Sequence, residues 1–413
     1  MFKKLLIFFI AKRISSLKSE GSGRIMLRTA ILTIAVSVAV MAMTINIIGG
    51  FKQEISSKVV GFASHFTITS LDKRQEMPIS SDNQYIEQIK ELDFVKSVAP
   101  YTSKGGVLKS SQGAKGVQLK GVDSSYDFSF IEKSMVEGRL PAFSNDEKTK
   151  EVIISKIISN QMLLNIGDKF EMMFISGDDV FRDRLEVVGV YQTSLAEFDG
   201  STIIGDIQVV SRVSGYRAGE IGGYEIMSDN FDNIDDYTVQ LEDVLFENMD
   251  AGEPLMLNSV KSDYVRIFDW LALQDTNILV IMVVMIFVAA FSMIAMMLII
   301  LIEKSSMIGI LKTLGMKDGS LQRLFILRSS YIVAVGIGIG VLVSLILSYI
   351  QLYFKPLKLS AEAYFLDYVP IEINYLYLCG VAIYSFVALM LLQTLPVRVI
   401  SKMAPHESIK GAS

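Results

Sequence analysis

EKSSMIGILKTLGMKDGSLQRLF, residues 303–325, is a polar, cation-bearing stretch caught between two long apolar runs. Ile308, Ile310, Leu311 and Leu314 keep helical spacing, and Gly315 is placed to stop that helix. Ser320 is placed to N-cap a second helix carrying Leu321, Leu324 and Phe325 on one face. Two short helices broken at Gly315 and Gly319 predict a compact knob of the kind that couples movement between proteins. The same residues also suit an ordinary loop that snorkels its Lys and Arg at lipid headgroups.

The flanks decide which solvent this stretch meets. At 51% hydrophobic residues and a mean hydropathy of +0.42 over 413 residues, the chain is too apolar for a water-soluble protein and too charged to lie wholly in a membrane. Four runs, 29–48, 276–302, 329–354 and 373–397, contain no Asp, Glu, Lys, Arg or His. Each reaches the roughly 20 residues that cross ~30 Å of hydrocarbon as a helix. Residues 51–275 carry 22 Lys and Arg against 37 Asp and Glu, a net −15, while the rest carries 17 against 7, a net +10. Cations crowd before the first run and in the loop 303–328, so the positive-inside rule puts both termini and that loop in the cytosol and 51–275 and 355–372 outside.

The single cysteine, Cys379, falls in the fourth run, so the outer block has no disulfide to rely on and needs a core of its own, which 225 residues can supply. Two histidines, His65 and His406, stand far apart, and no HExxH, CxxC, GxSxG or GxxxxGK[ST] pattern occurs. An enzyme in its own right is therefore disfavoured, no bound metal is expected, and the chain has no phosphate-binding loop.

Taken in order, residues 1–24 fit an interfacial amphipathic helix better than a cleaved signal, since Lys12 and Arg13 follow the apolar LLIFFIA at once. The first span, 25–50, carries Met41, Met43, Ile45 and Ile48 toward its outer end, an adaptable surface for a lipid chain or plain membrane packing. It continues as a stalk ended by Gly61. In the outer domain, 62–110 and 222–262 each read as β-α-β and together as one porter-like subdomain, a weak internal repeat. Between them, 113–212 reads as a β-rich, sabre-like insertion with VQLKGV, EVIIS, KFEMMFI, RLEVVGVY and IQVVS as strands. The loop 174–184 within it places Asp178, Asp179, Val180, Phe181 and Arg182 at a tip, as a partner-binding hook or as a hairpin whose Phe181 folds back on the sheet. The stretch 265–277 reads as an amphipathic helix with the only tryptophan, Trp270. Spans at 276–302, 329–354 and 373–397 follow, and 398–413 returns to the cytosol. In the third span, Gly336, Gly338 and Gly340 read as close helix packing or local flexibility rather than a nucleotide turn. The fold class is thus membrane α-helical, with four transmembrane helices plus an α+β extracytoplasmic domain split by a β-rich insertion.

Glu303, Lys304, Ile308, Gly309, Lys312, Gly315, Leu321 and Phe325 match the motif E-[KR]-x-x-x-I-G-x-x-[KR]-x-x-G-x-x-x-x-x-[IL]-x-x-x-F, and on these residues the chain resembles the FtsX-like ABC transporter permeases. GVQLKGVD, VEGRLPAFSNDEKTKEVIIS and IGDKFEM are similar to the outer core domain of MacB-type members. GGF (49–51), GFASHFTI (61–68), DWLALQDTN (269–277) and LP (395–396) are similar to the lipoprotein-releasing permeases LolC and LolE. Two positions depart from the pattern: Met307 stands where an acid often precedes Ile-Gly, and Arg328 where Glu or Gln is common.

The resemblance implies a permease without catalytic residues or cofactor of its own, with ATP and Mg on a separate cytosolic ABC ATPase in two copies. It also implies a second permease copy or paralogue, a lipoprotein substrate and a periplasmic carrier, with no nucleic-acid partner, in the inner membrane of a bacterium. Residues expected to couple to the ATPase are Ile308, Gly309, Lys312, Leu314, Gly315, Met316, Asp318, Leu321, Arg323 and Phe325. Runs without charge argue against a polar path through the spans and for transmission of force. Efflux of a small amphiphile, and a signalling complex that activates a cell-wall hydrolase, are the alternatives.

Overall fold

The computed structural model describes residues 22–71, 77–143, 148–176, 179–248, 255–359, 366 and 368–398. Residues 1–21 of the expected interfacial helix, and the tail from 399, lie outside the described residues. In chain order the elements are α1 (Ser22–Ala63), β1 (Phe66–Ser70), β2 (Ile79–Ser80), α2 (Gln84–Lys90), β3 (Val95–Ser110), β4 (Gly113–Val122), α3 (Ser129–Ser134), β5 (Met135–Gly138), β6 (Glu151–Ser155), α4 (Lys156–Met162), β7 (Lys169–Ser176) and β8 (Asp179–Tyr191). There follow α5 (Ala196–Asp199), β9 (Thr202–Asp206), α6 (Ile207–Val213), β10 (Glu220–Ile221), β11 (Gly223–Ser228), α7 (Ile234–Glu247), β12 (Leu255–Ser259) and α8 (Val260–Asp263). The chain closes with α9 (Val265–Glu303), α10 (Ser305–Thr313), α11 (Asp318–Phe354), α12 (Tyr375–Leu392) and α13 (Thr394–Val397). Two compact units divide the chain inside α1, after Lys52, and inside α9, after Asp269.

In the helical unit, four helices are long and apolar enough to cross a membrane: Ile25–Ala63, Val265–Glu303, Asp318–Phe354 and Tyr375–Val397. They bury a shared core of Ile34, Val38, Met293, Met297, Val333 and Leu389. Gly336 and Gly340 of α11 let α1 approach closely: a Cβ at Gly340 would come within 2.6 Å of the Ala35 carbonyl oxygen, and one at Gly336 within 2.8 Å of Ile34 Cγ2. Gly338, on the other side of α11, faces open space. Small residues four apart are what close packing in lipid requires, because dispersion between backbones replaces the hydrophobic drive that water would supply.

Nearer the outer ends, Asn46 donates to Ser348 Oγ at 3.0 Å, and its backbone carbonyl accepts from the Glu372 N–H at 3.0 Å. Gly50 has the 370–371 backbone against it, where a Cβ would lie 2.7 Å from the Pro370 carbonyl carbon. That contact explains Gly50, which costs helix propensity within α1. Met41 is wholly buried in this core, the packing role of the two open to it, so it presents no lipid-facing surface, while Met43, Ile45 and Ile48 are half-buried. Methionine fills core gaps as readily as it meets lipid, and composition does not separate the two. The helix expected over 265–277 and the second span are one 39-residue helix, α9, since no Gly or Pro interrupts them.

The second unit is built on a sheet ordered β12-β1-β11-β3-β4-β9-β6-β8-β5, with β7 pairing β3 and β8. Its first four strands are mutually antiparallel neighbours, with α2 linking β1 to β3 and α7 linking β11 to β12. This is the split β-α-β arrangement, in which each unit's two strands are separated by one strand of the other. The insertion does not break the sheet. β3 is 16 residues long: Val95–Tyr101 pairs β11, Gly106–Lys109 pairs β7, and Tyr101–Ser110 pairs β4 antiparallel.

IQVVS, expected as a strand, is helix α6. Asp206 caps it by accepting the Gln208 N–H at 2.8 Å, and Val209, Val210 and Val213 are buried. Gly121 of β4 clears the space, since a Cβ there would sit 2.6 Å from Val210 Cγ2. α1 runs past Gly61 to Ala63, where Ser64 at φ +60° ends it in the left-handed region.

His65 follows at once, 7% exposed, its Nδ1 accepting the Ser228 N–H at 3.1 Å. Burial, with Lys96 second, pushes its pKa down from 6.5 to about 4. The folded chain therefore refuses a proton that the unfolded chain accepts. Stability from this source is full above pH 6.5 and is lost as pH falls toward about 4.

Two tests follow from this packing. Gly340→Leu is expected to cost about 1–3 kcal/mol by forcing α1 and α11 apart, whereas Gly338→Leu is expected to leave detergent thermal stability unchanged; equal effects would contradict the packing. Between pH 6.5 and 4.5, protection of the β1 and β11 amides against hydrogen exchange, taken relative to the intrinsic rate at each pH, is expected to fall by an amount that His65→Gln abolishes, out of about 3 kcal/mol available over the full shift.

Candidate functional site

Helix α10 ends in a Schellman motif: the Met316 N–H bonds to the Leu311 carbonyl at 3.0 Å and the Gly315 N–H to that of Lys312 at 3.0 Å, with Gly315 at φ +87°. Leu311 and Met316 each pack against the helical core. The second helix begins at Asp318 rather than after Ser320, with Lys317 as its cap residue. Asp318 then sits in the first turn, where a carboxylate offsets the exposed N–H groups. Lys312 Nζ reaches Asp318 Oδ1 at 3.0 Å and bridges the turn, with only 10% of its side chain exposed.

The ten residues singled out in this loop separate into two sets. Ile308, Gly309, Leu321 and Phe325 are buried and join the knob to the helical core. Lys312 and Asp318 are spent on each other, and Met316 is half-buried. Leu314, at 78% exposure, Gly315 and Arg323 face outward, and Ile310, which the motif does not mark, joins them at 52%. The knob thus has a packed base and an apolar tip held by a rigid turn. Leu314 and Ile310 are thus two large apolar side chains that the rest of the described chain leaves uncovered.

In the second unit the expected hook is a tight hairpin. β7 and β8 pair as far as Ser176 with Asp179, leaving Gly177 and Asp178 between them, both outside the described residues. Ile175, at 66%, and Val180, at 58%, are cross-strand partners exposed side by side, and Phe181 is 37% exposed opposite the buried Phe174. Arg182 lies 3.8 Å from Glu171. The apolar tip is real, but it belongs to a β-ladder rather than to an eleven-residue loop. Ile175, which pattern reading passed over, is its most exposed member.

Sequence reading also passed over the polar cluster at the end of α1. Lys120 of β4 and Glu225 of β11 form a buried ion pair at 2.7 Å. Lys120 Nζ donates further to the Phe62 carbonyl at 3.0 Å and to Tyr126 Oη at 3.1 Å, and stands 4.8 Å from the Tyr126 ring centroid. Burial pulls this ammonium toward neutrality, but Glu225 and Tyr126 hold its pKa above the usual lysine value, so it stays charged. Beside the pair lies a cavity of about 400 Å³, lined in part by Phe62, Ala63, Tyr101, Phe198 and Tyr264. Burial keeps both tyrosines protonated, Tyr264 being pushed up to about 12. Among the described residues no group of three His, Cys, Asp or Glu is placed to hold a metal ion.

With this geometry in view, residues 29–245 match the MacB-like periplasmic core domain family and residues 279–405 match the FtsX-like permease C-terminal family. The lipoprotein-releasing system transmembrane protein LolE of Haemophilus influenzae is 21% identical over 421 residues, covering 98% of this chain and 99% of that one. The corresponding LolC of Neisseria meningitidis serogroup B is 22% identical over 426 residues, covering 95% and 96%. The periplasmic region of MacB from Actinobacillus actinomycetemcomitans superposes on 51% of this chain and 95% of its own, at 16% identity and a TM-score of 0.35. The family matches cover the core domain and the spans in turn, and the chain belongs to the FtsX-like ABC transporter permeases that carry a MacB-like periplasmic core domain.

Proposed function

We propose that this permease works with a separate cytosolic ATPase, bound as two copies, to release lipid-anchored proteins from the inner membrane to a periplasmic carrier. The observation that carries the reading is the exposed Leu314–Ile310 tip on a rigid turn, in a chain without a phosphate-binding loop of its own. ATP and Mg belong to the partner, and this chain binds no cofactor. The cation-rich loop 303–328 puts the tip on the cytosolic side together with both termini. A second permease copy or a paralogue completes the complex.

Closure of the ATPases moves Leu314, Ile310 and Arg323, and the buried base of Ile308, Leu321 and Phe325 passes the motion to the spans. The two helices in which the chain divides, α1 and α9, run 42 and 39 residues, about 60 Å each against ~30 Å of hydrocarbon. They extend beyond the bilayer and carry displacement outward, without a path for cargo through the spans. The acyl chains of the cargo meet the half-buried Met43, Ile45 and Ile48. The Ile175, Val180 and Phe181 tip receives the carrier. LolC and LolE, whose names record lipoprotein release, match over nearly the full chain, and that likeness supports the cargo class proposed.

Reconstituted in liposomes with its ATPase, the chain is expected to transfer a lipoprotein to a soluble carrier in an ATP-dependent manner. Transfer of a small amphiphile alone, or recovery of a cell-wall hydrolase with no lipoprotein, would overturn the reading. Leu314→Asp is expected to insert normally and to lower transfer per ATP by about tenfold, since an exposed position tolerates charge without loss of fold. Undiminished transfer would remove Leu314 from the docking surface.

A further inference from the structure

A helix leaves its last carbonyls without partners, and how those of α1 are met says what the helix end is attached to. α1 stops at Ala63 because Ser64 turns left-handed, and the Phe62 carbonyl then accepts from Lys120 Nζ at 3.0 Å. An ammonium ion at this end also complements the partial negative charge of the helix C-terminus. The same Nζ holds both Glu225 oxygens, at 2.7 and 2.9 Å, and Ser64 Oγ donates to Glu225 at 2.9 Å. Lys120 and Glu225 are 7% and 5% exposed, and they sit on β4 and β11, the two strands that flank β3. The end of α1 is therefore bonded to two strands of the sheet at once, through one buried cation and one buried anion.

The surroundings of that end are uneven. On one side Gly61 abuts the Phe130 ring so closely that a Cβ would lie 2.5 Å from it. On the other side Phe62 and Ala63 border the cavity of about 400 Å³. Apolar packing alone would let a helix end slide into such a space, because dispersion has little direction. Charge-assisted hydrogen bonds have direction, and a pair buried to this depth is screened less by salt than a surface pair. Buried ion pairs are often no better for stability than well-packed apolar residues, so stability is a weak reason for this one.

We propose that Lys120, with Glu225, is a positioning pair that fastens the end of α1 to the sheet, so that displacement of the helix moves the sheet instead of being absorbed in the cavity. This rests on the reading that motion travels outward along α1, and the test separates the two ideas. In the full chain carrying Cys379→Ser, spin labels are placed at Ser57 on α1 and Val239 on α7, both exposed, and their distance distribution is measured in lipid nanodiscs. Lys120→Met with Glu225→Met, which keeps the volume and removes both charges, is expected to broaden a distribution that is narrow in the parent. Hydrogen exchange in β1 and β11 is expected to stay protected.

In the reconstituted complex the same variant is expected to lower cargo release about tenfold while ATP hydrolysis stays within about twofold, a split that general loss of fold does not produce. If the double variant fails to fold, Ser64→Ala, which removes only the helix-side bond to Glu225, is expected to broaden the distribution in the same direction. An unchanged distribution in the variant that folds, or undiminished release beside a broadened one, overturns the proposal. A parent complex that releases no lipoprotein overturns the transport reading instead, and the label distribution still decides whether the pair fastens the helix.

Discussion

The ammonium of Lys120 under the Phe62 carbonyl is the contact on which the second unit's organisation turns. It satisfies a helix-end acceptor that water cannot easily reach, and it needs Glu225 to remain charged at that depth. Glu225 in turn ties β11, a strand of the second β-α-β unit, to β4, the first strand of the insertion. The sheet is continuous through the long β3, so a tie made at β4 and β11 grips strands on both sides of it. Remove the charge on either partner and a buried ion is left alone, which costs far more than the pair contributes.

The knob at residues 303–325 solves a related problem with a different device. A short helix followed by a sharp turn would be floppy in isolation, since helices below about 12 residues are marginal in water. Here the Schellman hydrogen bonds close α10, the Lys312–Asp318 bridge spans the turn, and Ile308, Leu321 and Phe325 anchor the base in the helical core. What remains outside is the apolar pair Leu314 and Ile310, with Arg323 on the second helix. The family motif therefore mixes two kinds of residue: most of its marked positions build the knob, and the side chain best placed to touch a partner, Leu314, lies between them.

The membrane part was legible because hydrocarbon imposes a simple rule: four charge-free runs of sufficient length became four long helices. Of the three glycines read as close packing or local flexibility, Gly336 and Gly340 pack against α1 and Gly338 does not. The split β-α-β order was legible from two strand–helix–strand patterns. IQVVS was not, because a β-branched run reads as a strand until an aspartate cap and a glycine opposite, Gly121, make a short helix fit. Nor was the buried face of Met41, since every side of a membrane helix is apolar. The Lys120–Glu225 pair was out of reach for another reason. Its members are 105 residues apart, and a lysine in VQLKGV reads as the solvent-facing residue of an alternating strand.

The central claim is that a separate ATPase drives this permease through the tip of the knob. A photoreactive amino acid placed at Leu314 in the full chain, and irradiated in native membranes, tests it most directly. A cross-link to a nucleotide-binding protein, altered in yield when ATP hydrolysis is trapped, is the result expected; cross-links to lipid alone, or none that respond to nucleotide, would contradict the account.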